Sequence, residues 1–454
     1  MIRGYPARPS VMPGGTLTLH VSTDAPRFRV AFHRWGDGFG VVHESDGLAG
    51  LDAPENSPDR DWDWPAYRFE IGRDWPSGVY VAHLLESTSP LPLELAMEQA
   101  AALFVVRGAG HSRMLYKLPI ATYQAYNVTG GGCFYFEPPR STAPPGAKLT
   151  WHRPGGGIGG LTFGAPDHYD PTSPRQTFAH WDARFIRWMM REGFGADCEF
   201  CTDLDVHDNP QLLSGHRLLL SVGHDEYWSE PMRDHLEQAV GRGLNVAFFG
   251  ANLCWWRIHV IDGASAMVCH QGGPRGALDH WWPATGVHRA EDSLTGVSYR
   301  HGGGWWDGPR ETSGYVVQQR GHWVFEGTGL DDGMCFGTHS SPPLVGYECD
   351  GAALEWLDEH RLRVRVAERA QECGTPADFL PLAIGPLNDR WQELPHREHH
   401  RPREGLHSAT MGIHTRGGTV FTVGTTDWAQ VLDNGTDAAV ARITRNVIAR
   451  LAGA

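Results

Sequence analysis

The chain has 454 residues, of which 41% are hydrophobic and 20% charged, a composition that excludes a disordered or coiled-coil protein. Its net charge of −14 disfavours nucleic acid and anionic membranes as partners, because both bind a basic face. The sequence has no apolar run of about 18 residues and no signal-peptide core at its N-terminus. Its eight scattered cysteines predict free thiols, and we therefore expect a cytoplasmic protein.

Residues 1–107 are predicted to form a β-sandwich of the immunoglobulin type. Apolar and polar residues alternate at 16–21 and 28–32, and further short apolar runs occupy 79–84 and 103–106. Glycine and proline separate these runs, as is typical of strands joined by tight turns. This block carries no obvious chemistry.

Residues 108–454 alternate strands with helices and predict a parallel α/β sheet with right-handed crossovers. The predicted elements are a strand at 117–122, a helix carrying Phe178 to Met189, a strand at 217–222, a helix capped by Ser229, a strand at 245–249, a strand at 419–423 and a final helix carrying Val440 to Leu451. Residues 258–405 do not follow this alternation. They are rich in Gly, Trp and His and predict a mostly β insertion.

Ligands of an open parallel sheet bind beyond the carboxyl ends of its strands, and four predicted strand ends carry polar or aromatic side chains. These are Tyr123, Gln124, Tyr126 and Asn127; His224, Asp225, Glu226 and Tyr227; Asn252; and Thr425, Thr426 and Asp427. Any one of these ends could be a strand that simply stops in polar residues. The four together favour a functional site at this edge.

The segment HDEYW, residues 224–228, offers several kinds of chemistry. His224 can act as a base, a donor or a metal ligand, and Tyr227 can stabilise an oxyanion or bind a hard metal. Asp225 and Glu226 precede a predicted helix, where carboxylates are also stabilised by the helix dipole without any catalytic purpose. We expect Asp225 to be structural.

Four other motifs carry less weight. The glycine run at 155–160 follows no strand and opens no helix, so it predicts a loop rather than a dinucleotide site. HGGG at 301–304 lacks the serine elbow of an esterase, and HREHH at 396–400 lies beside arginines in a predicted solvated loop. The single CxxC, Cys198 and Cys201, predicts core packing.

Four longer stretches resemble the family of the large (β) subunit of N,N-dimethylformamidase. They are LPIATYQAYNVTGGG, LLLSVGHDEYWSEPMRDHLEQAVGRGLNVAFFGANLCWWRI, HWVFEGTGL and GTVFTVGTTDWAQVLDNG, and the likeness covers most of residues 115–454. The resemblance implies a glutamine-amidotransferase-like α/β domain behind a β-sandwich. It also implies a hydrolase that cleaves the C–N bond of a small formamide, with a non-haem iron bound by two tyrosines and one glutamate.

The implied iron ligands map onto this sequence only in part. Tyr123 or Tyr126 matches the first tyrosine, whereas the helix of the second tyrosine carries Phe185 and Trp188. The glutamate position falls in Met267–His270, where the chain has no glutamate. Four residues remain candidate metal ligands: Tyr123, Tyr126, Tyr227 and His270.

We therefore expect a C–N hydrolase with His224, Glu226 and Tyr227 as catalytic residues. Asn127, Asn252 and Asp427 would orient a small-molecule substrate, and no nucleotide cofactor is expected. A binding protein with a degenerate site is the second hypothesis. The third is metal-free hydrolysis, or a carbohydrate-binding or carbohydrate-processing protein that uses Trp281, Trp282, Trp305 or Trp306. A homo-oligomer is one option, and the sequence does not decide whether a small partner subunit exists.

Overall fold

The computed structural model describes residues 1–86, 93, 100–137, 140–142, 145–158, 161–164, 167–271, 279–282, 287–360, 362–368, 370–392 and 405–453. The chain divides into two compact units. The first contains Met1–Leu212, Ser229–Met232 and Arg257–Asp279, and the second contains Leu213–Trp228, Arg233–Trp256 and His280–Ala454. The predicted boundary near residue 107 and the predicted insertion at 258–405 stay predictions. Among the described helices, none has the length and apolar character needed to cross a membrane.

Strands outnumber helices in the described chain. The strands are β1 (Arg3–Pro6), β2 (Ser10–Val11), β3 (Thr16–Ser22), β4 (Arg27–Trp35), β5 (Phe39–Glu44), β6 (Leu48–Ala49), β7 (Ala66–Glu70), β8 (Gly78–Glu86), β9 (Ala101–Val106), β10 (Met114–Leu118), β11 (Arg140–Thr142), β12 (Pro145–Thr150), β13 (Cys198–Thr202), β14 (Leu218–His224), β15 (Tyr227–Ser229), β16 (Asn245–Ala251), β17 (Trp256–Ile261), β18 (Ala266–Cys269), β19 (Ser298–Gly304), β20 (Tyr315–Val317), β21 (Cys335–Phe336), β22 (Glu348–Gly351), β23 (Leu354–Trp356), β24 (Val364–Val366), β25 (Leu380–Pro386), β26 (Ser408–Arg416) and β27 (Gly418–Thr422). The helices are α1 (Ile120–Tyr126), α2 (Asp182–Arg191), α3 (Asp203–Asp208), α4 (Glu230–Gly241), α5 (Asp292–Thr295), α6 (Ala370–Cys373), α7 (Trp428–Asn434) and α8 (Ala438–Ala452).

The N-terminal β block of the first unit contains two sheets that share one hydrophobic core. One sheet has the order β1-β3-β7, and the other has the order β2-β9-β8-β4-β5 with β6 paired to β4. Alternate residues of β3, among them Leu17, Leu19 and Val21, join Phe32 and Phe104 from the second sheet in this core. Burying each such side chain contributes about 1.5–3 kcal/mol. The predicted strands are confirmed here, while their assignment to an immunoglobulin-type sandwich stays a prediction.

The first unit corrects one predicted strand end. β10 ends at Leu118, and TYQAYN lies mostly in the buried helix α1 and not at the end of a strand. The β-branched and aromatic residues of this segment favour a strand, but tertiary packing outweighs that preference. The Asp203 carboxylate accepts a hydrogen bond from the backbone N–H of Ala121 at 2.7 Å and so satisfies one free donor in the first turn of α1.

The second unit contains a sheet that is only partly parallel. β14, β16 and β27 run parallel to one another, and β26, β25, β20 and β21 continue the sheet with antiparallel pairings. The predicted parallel pairing is therefore confirmed for β14, β16 and β27, whereas the sheet of this unit is mixed. The region after β18, which showed no clear period in the sequence, supplies β20, β21 and β25 to this sheet.

Two predicted helices of the α/β region are confirmed, with their caps. The Ser229 hydroxyl accepts a hydrogen bond from the backbone N–H of Met232 at the start of α4, as an N-cap residue does. In α8, Val440, Ile443, Val447 and Leu451 form the buried face. The helix that was predicted to carry Phe178 begins only at Asp182.

Candidate functional site: a buried histidine–carboxylate centre

His224 is the last residue of β14 and lies at the carboxyl end of the parallel part of the sheet. The preceding residue, Gly223, has a φ of 69°, which turns the backbone away from regular strand geometry just before His224. A side chain on Gly250 of β16 would lie 2.2 Å from the Gly223 carbonyl oxygen, so the two strands approach too closely for any other residue there. The glycines therefore set the position of the His224 side chain.

Asn252 follows β16 and lies next to this strand end. It has a φ of 51°, a left-handed conformation that asparagine tolerates better than most residues. Its side-chain amide donates a hydrogen bond to Glu348 Oε2 at 3.3 Å. Its Oδ1 atom is buried and has no hydrogen-bond partner among the residues that the structure describes. A buried acceptor of this kind is uncommon and offers a contact to a small ligand.

Glu348 and Asp350 complete the centre, and the sequence analysis missed both. They lie on β22, where Glu348 Oε2 is 3.0 Å from His224 Nε2. The Asp350 carboxylate accepts the backbone N–H groups of Asn252 at 2.8 Å and of Leu253 at 3.1 Å. The one available signal was the spacing in ECDG, where alternate carboxylates face the same side of a short strand.

The charges of the centre favour an ion pair between His224 and Glu348. Burial lowers the pKa of His224, but the Glu348 carboxylate, together with Glu226 and Asp350, outweighs burial, and the pKa is raised from its ordinary 6.5. Burial likewise raises the pKa of Glu348, yet His224 and the donors from Trp306 and Asn252 bring it below its ordinary 4.5. Burial together with nearby carboxylates raises the pKa of Asp350 to about 8.

The rest of HDEYW surrounds this pair. Glu226 Oε2 is 3.6 Å from His224 Nε2, and both side chains are buried. The Asp225 carboxylate accepts hydrogen bonds from the Ser221 hydroxyl at 2.6 Å and from the Trp228 indole at 3.0 Å, as expected of a structural residue. Tyr227 is fully buried on β15 in the same unit.

Asp427 has hydrogen-bond partners in the second unit. It is fully buried, and its Oδ2 atom accepts a hydrogen bond from Arg310 at 2.5 Å and from the Tyr347 backbone at 3.2 Å. The Thr426 hydroxyl donates to the other carboxylate oxygen at 3.0 Å. These contacts hold the chain after β27 in place, and the predicted role of Asp427 in substrate orientation stays a prediction.

Four predicted site residues lie in the first unit, and three of them, on α1 or directly after it, have partners around that helix. Tyr123 donates a short hydrogen bond to Asp182, which also accepts one from Tyr116 at 2.8 Å. The Tyr126 ring stacks on Tyr135 with 4.5 Å between centroids, and their hydroxyls are 3.0 Å apart. The Asn127 amide donates to Gln124 and to the Pro154 carbonyl.

The glycine-rich loop packs against α1. Gly155, Gly156 and Gly157 all have positive φ, and a side chain on Gly156 would lie 2.1 Å from Gln124 Nε2. At Gly157 the added carbon would lie 2.5 Å from the Tyr123 ring. These glycines are explained by the close approach of two backbone segments. The last two residues of the motif lie outside the described residues, as does HREHH at 396–400.

The two-tyrosine, one-glutamate iron centre does not fit the residues at the positions that the resemblance implies. A tyrosine that donates its hydroxyl proton to a carboxylate, as Tyr123 does, is not available as a phenolate ligand. The positions on α2 hold Phe185 and Trp188, and no glutamate lies in Met267–His270. His270 instead contacts Asp279 in the first unit. Iron stays a prediction that metal analysis of the purified protein tests.

Trp281, Trp305 and the CxxC pair are buried, and the role of the four tryptophans in carbohydrate binding stays a prediction. Arg233 lies 4.8 Å above the buried Trp281 ring, and Arg390 lies 4.6 Å above Trp305, so cations cover faces that a sugar would need. Trp306 donates to Glu348 at 3.2 Å. Cys198 and Cys201 are buried free thiols, and burial raises the pKa of both, as expected of core cysteines.

Two open clefts lie away from the centre. One, of about 480 Å³ in the first unit, is lined by residues that include Arg34, Arg107 and Glu199. The other, of about 530 Å³ in the second unit, is lined by residues that include Trp282, Arg300 and Arg416. Neither cleft is lined by His224, Tyr227 or Asn252.

Comparison with known proteins identifies one family. The family model described as "N,N-dimethylformamidase beta subunit-like, C-terminal" matches residues 28–438, which is nearly the whole chain. This match confirms the resemblance seen in the sequence. No curated protein matches the chain.

Proposed function

The chain belongs to the N,N-dimethylformamidase beta subunit-like family, and from this premise we propose that it hydrolyses the C–N bond of a small amide or formamide. The observation that carries the proposal is the buried contact of 3.0 Å between His224 Nε2 and Glu348 Oε2 at the carboxyl end of β14. Parallel strands present their functional groups at this edge, and a histidine paired with a carboxylate is suited to acid–base work.

The proposed reaction uses the His224–Glu348 pair to move one proton. The pair takes a proton from a water molecule as the water oxygen forms a bond to the carbonyl carbon. It returns that proton to the amine nitrogen as the C–N bond breaks, which leaves a carboxylic acid and a free amine. The Glu348 carboxylate raises the pKa of His224 and so stabilises the imidazolium that forms when His224 takes the proton.

Asn252 and Glu226 support this exchange. The Oδ1 atom of Asn252 can accept a hydrogen bond from the attacking water, since the described residues offer it no other donor. Glu226, at 3.6 Å from His224 Nε2, adds a second negative charge that favours the imidazolium form. Because His224, Glu226, Asn252 and Glu348 are all nearly inaccessible to solvent, the centre favours a small, uncharged substrate.

A binding protein with a degenerate site is the second candidate. The observation that favours it is that the two clefts of about 480 and 530 Å³ lie elsewhere, while the His224 centre is buried. Such a protein would keep the ion pair for stability and would turn over no amide.

The test is amide hydrolysis by the purified full-length chain, followed through release of the amine from formamide, N-methylformamide and N,N-dimethylformamide. We expect Glu348→Gln and His224→Gln each to lower kcat/KM by at least about 100-fold, the usual contribution of general acid–base catalysis. Turnover that survives both substitutions would contradict the assignment of this centre. No turnover of any amide by the wild-type chain would favour the binding protein.

Matched controls separate catalysis from stability. His414 is a buried histidine whose Nε2 contacts the Leu294 carbonyl, and Glu237 is paired with Arg233 on α4. His414→Gln and Glu237→Gln remove a buried imidazole and a half-buried carboxylate from the same unit. We expect both variants to keep activity within about threefold, in proportion to their folded fraction.

The family description also bears on partners. Its members are described as like a beta subunit, so we propose that this chain works in an assembly with other chains. A homo-oligomer and a complex with a small partner subunit are both consistent with that description.

A further inference from the structure

A second cluster of potential ligands lies in the first unit and has no part in the proposed hydrolysis. His259 on β17, His270 just after β18 and Asp279 place one ligand atom each within 4.8 Å of one another. His259 Nε2 is 3.2 Å from Asp279 Oδ1, and His270 Nδ1 makes a short contact with Asp279 Oδ2. Both imidazoles therefore direct a nitrogen at the same carboxylate.

The antiparallel pairing of β17 and β18 accounts for this arrangement. His259 pairs with Val268, so His270, two residues further on, projects from the same face as a diagonal neighbour. The two imidazole centroids are 5.5 Å apart. In the sequence the two histidines are separated by a turn, and Asp279 follows later, so only the strand register brings them together.

A guanidinium and a backbone N–H, neither of which would bind a metal ion, hold Asp279 in place. Arg257 donates to its Oδ1 atom at 3.0 Å and 2.9 Å, and the backbone N–H of His270 donates to its Oδ2 atom at 2.7 Å. The carboxylate is almost fully buried, while His259 and His270 expose 33% and 19% of their side chains. A fixed carboxylate beneath two accessible imidazoles leaves one side open to solvent.

We propose that His259, His270 and Asp279 bind a divalent transition-metal ion of the Zn²⁺ class. Bonds of about 2.0–2.2 Å to nitrogen and oxygen separate the ligand atoms of a tetrahedral zinc by about 3.4 Å, and the observed contacts require only small side-chain shifts to reach this spacing. Water fills the position that the protein leaves open.

The surrounding charge favours a cation despite the nearby guanidinium. Arg257 also contacts Glu230 at 3.3 Å, so its positive charge is shared between two carboxylates, Asp279 and Glu230. With neutral histidines, these groups carry one net negative charge. Arg257 would not bind the ion itself. It hydrogen-bonds to the ligand carboxylate and orients it, as groups behind metal ligands commonly do.

The experiment titrates Zn²⁺ alone into the chelator-treated full-length chain by calorimetry at pH 7.5. We expect His259→Gln and His270→Gln each to remove one bound Zn²⁺ or to weaken that site by at least about 10-fold. Co²⁺ in place of Zn²⁺ should give the visible absorption of a nitrogen- and oxygen-bound ion in the wild-type chain and lose it in both variants. Unchanged stoichiometry and affinity in both variants would overturn the proposal.

His152→Gln is the matched control. His152 is 24% exposed and pairs with Asp61 at 3.0 Å, and within the described part of the chain no second histidine pairs with that carboxylate. Its removal should leave Zn²⁺ binding unchanged. His224→Gln should also retain this Zn²⁺ site, so that failure of the hydrolase proposal and failure of the metal proposal give different results.

Discussion

At the scale of single residues, the buried charged groups of the centre change one another's pKa values. The pKa of His224 is raised and the pKa of Glu348 is lowered. Burial acts in the opposite direction on each group, and the charge of the partner is the largest of the effects that oppose burial. Asp350, with its pKa raised to about 8, adds a carboxyl group whose ionisation the fold opposes. The centre therefore responds to pH through three coupled groups.

This coupling predicts a pH dependence of stability. The pKa of His224 is raised on folding, so its contribution to stability is fully present below pH 6.5 and is lost as the pH rises through the folded-state pKa. The pKa of Glu348 is lowered, so its contribution is present above pH 4.5 and is lost as the pH falls through the folded-state pKa. The pair contributes most between these two values.

His224→Gln tests that window. Removing one partner of a buried pair costs about 3–5 kcal/mol, because the other charge is left unpaired. We expect the loss in the free energy of unfolding, measured with urea, to be larger at pH 5.5 than at pH 8.5. His414→Gln serves as the control, since burial lowers the pKa of His414 and its pH dependence has the opposite sign. An equal loss for His224→Gln at both pH values would contradict the ion pair.

At the scale of elements, the carboxyl ends of the strands are held by buried polar contacts from distant segments. β22 is linked to the segment after β27 by hydrogen bonds between Glu348 and Thr426 in both directions, at 3.1 Å and 3.2 Å. Asp427, at the start of α7, is paired with Arg310. The order of the centre therefore depends on contacts between elements that lie far apart in the chain.

Arg310→Met tests the structural role of Asp427. It removes the cation from a pair in which both side chains are almost fully buried, and we expect a loss of about 3–5 kcal/mol in the free energy of unfolding. Arg320→Met removes an exposed ion pair to Asp331 and should leave the free energy of unfolding nearly unchanged, because solvent screens exposed pairs. If Asp427 instead orients the substrate, Asp427→Asn would raise KM with little loss of stability.

At the scale of the whole molecule, the proposed assembly gives a simple prediction. The chain has a mass of 50.2 kDa, and for a homo-oligomer we expect light scattering of the purified protein to give at least twice that mass. The physical reason is that a subunit of an assembly carries an interface that another chain covers. A mass of 50.2 kDa at micromolar concentration would contradict a homo-oligomer and leave a different partner subunit as the remaining form of assembly.

The sequence alone determined much of the second unit and the identity of its main site residue. Strands β14, β16 and β27 and helices α4 and α8 were predicted because their apolar periods and caps are local signals. These local signals also placed His224 and Asn252 at strand ends, and the motifs around them were specific enough to identify the family.

Only the tertiary structure decided which partners those residues have. Glu348 and Asp350 come from a short strand in a region without clear periodicity, and register across β17 and β18 brought His259 close to His270. The segment TYQAYN became a helix because tertiary packing and the Asp203 carboxylate outweighed its strand preference. Local pattern determines which element forms, whereas the pairing of side chains from distant segments depends on packing that no single stretch of sequence encodes.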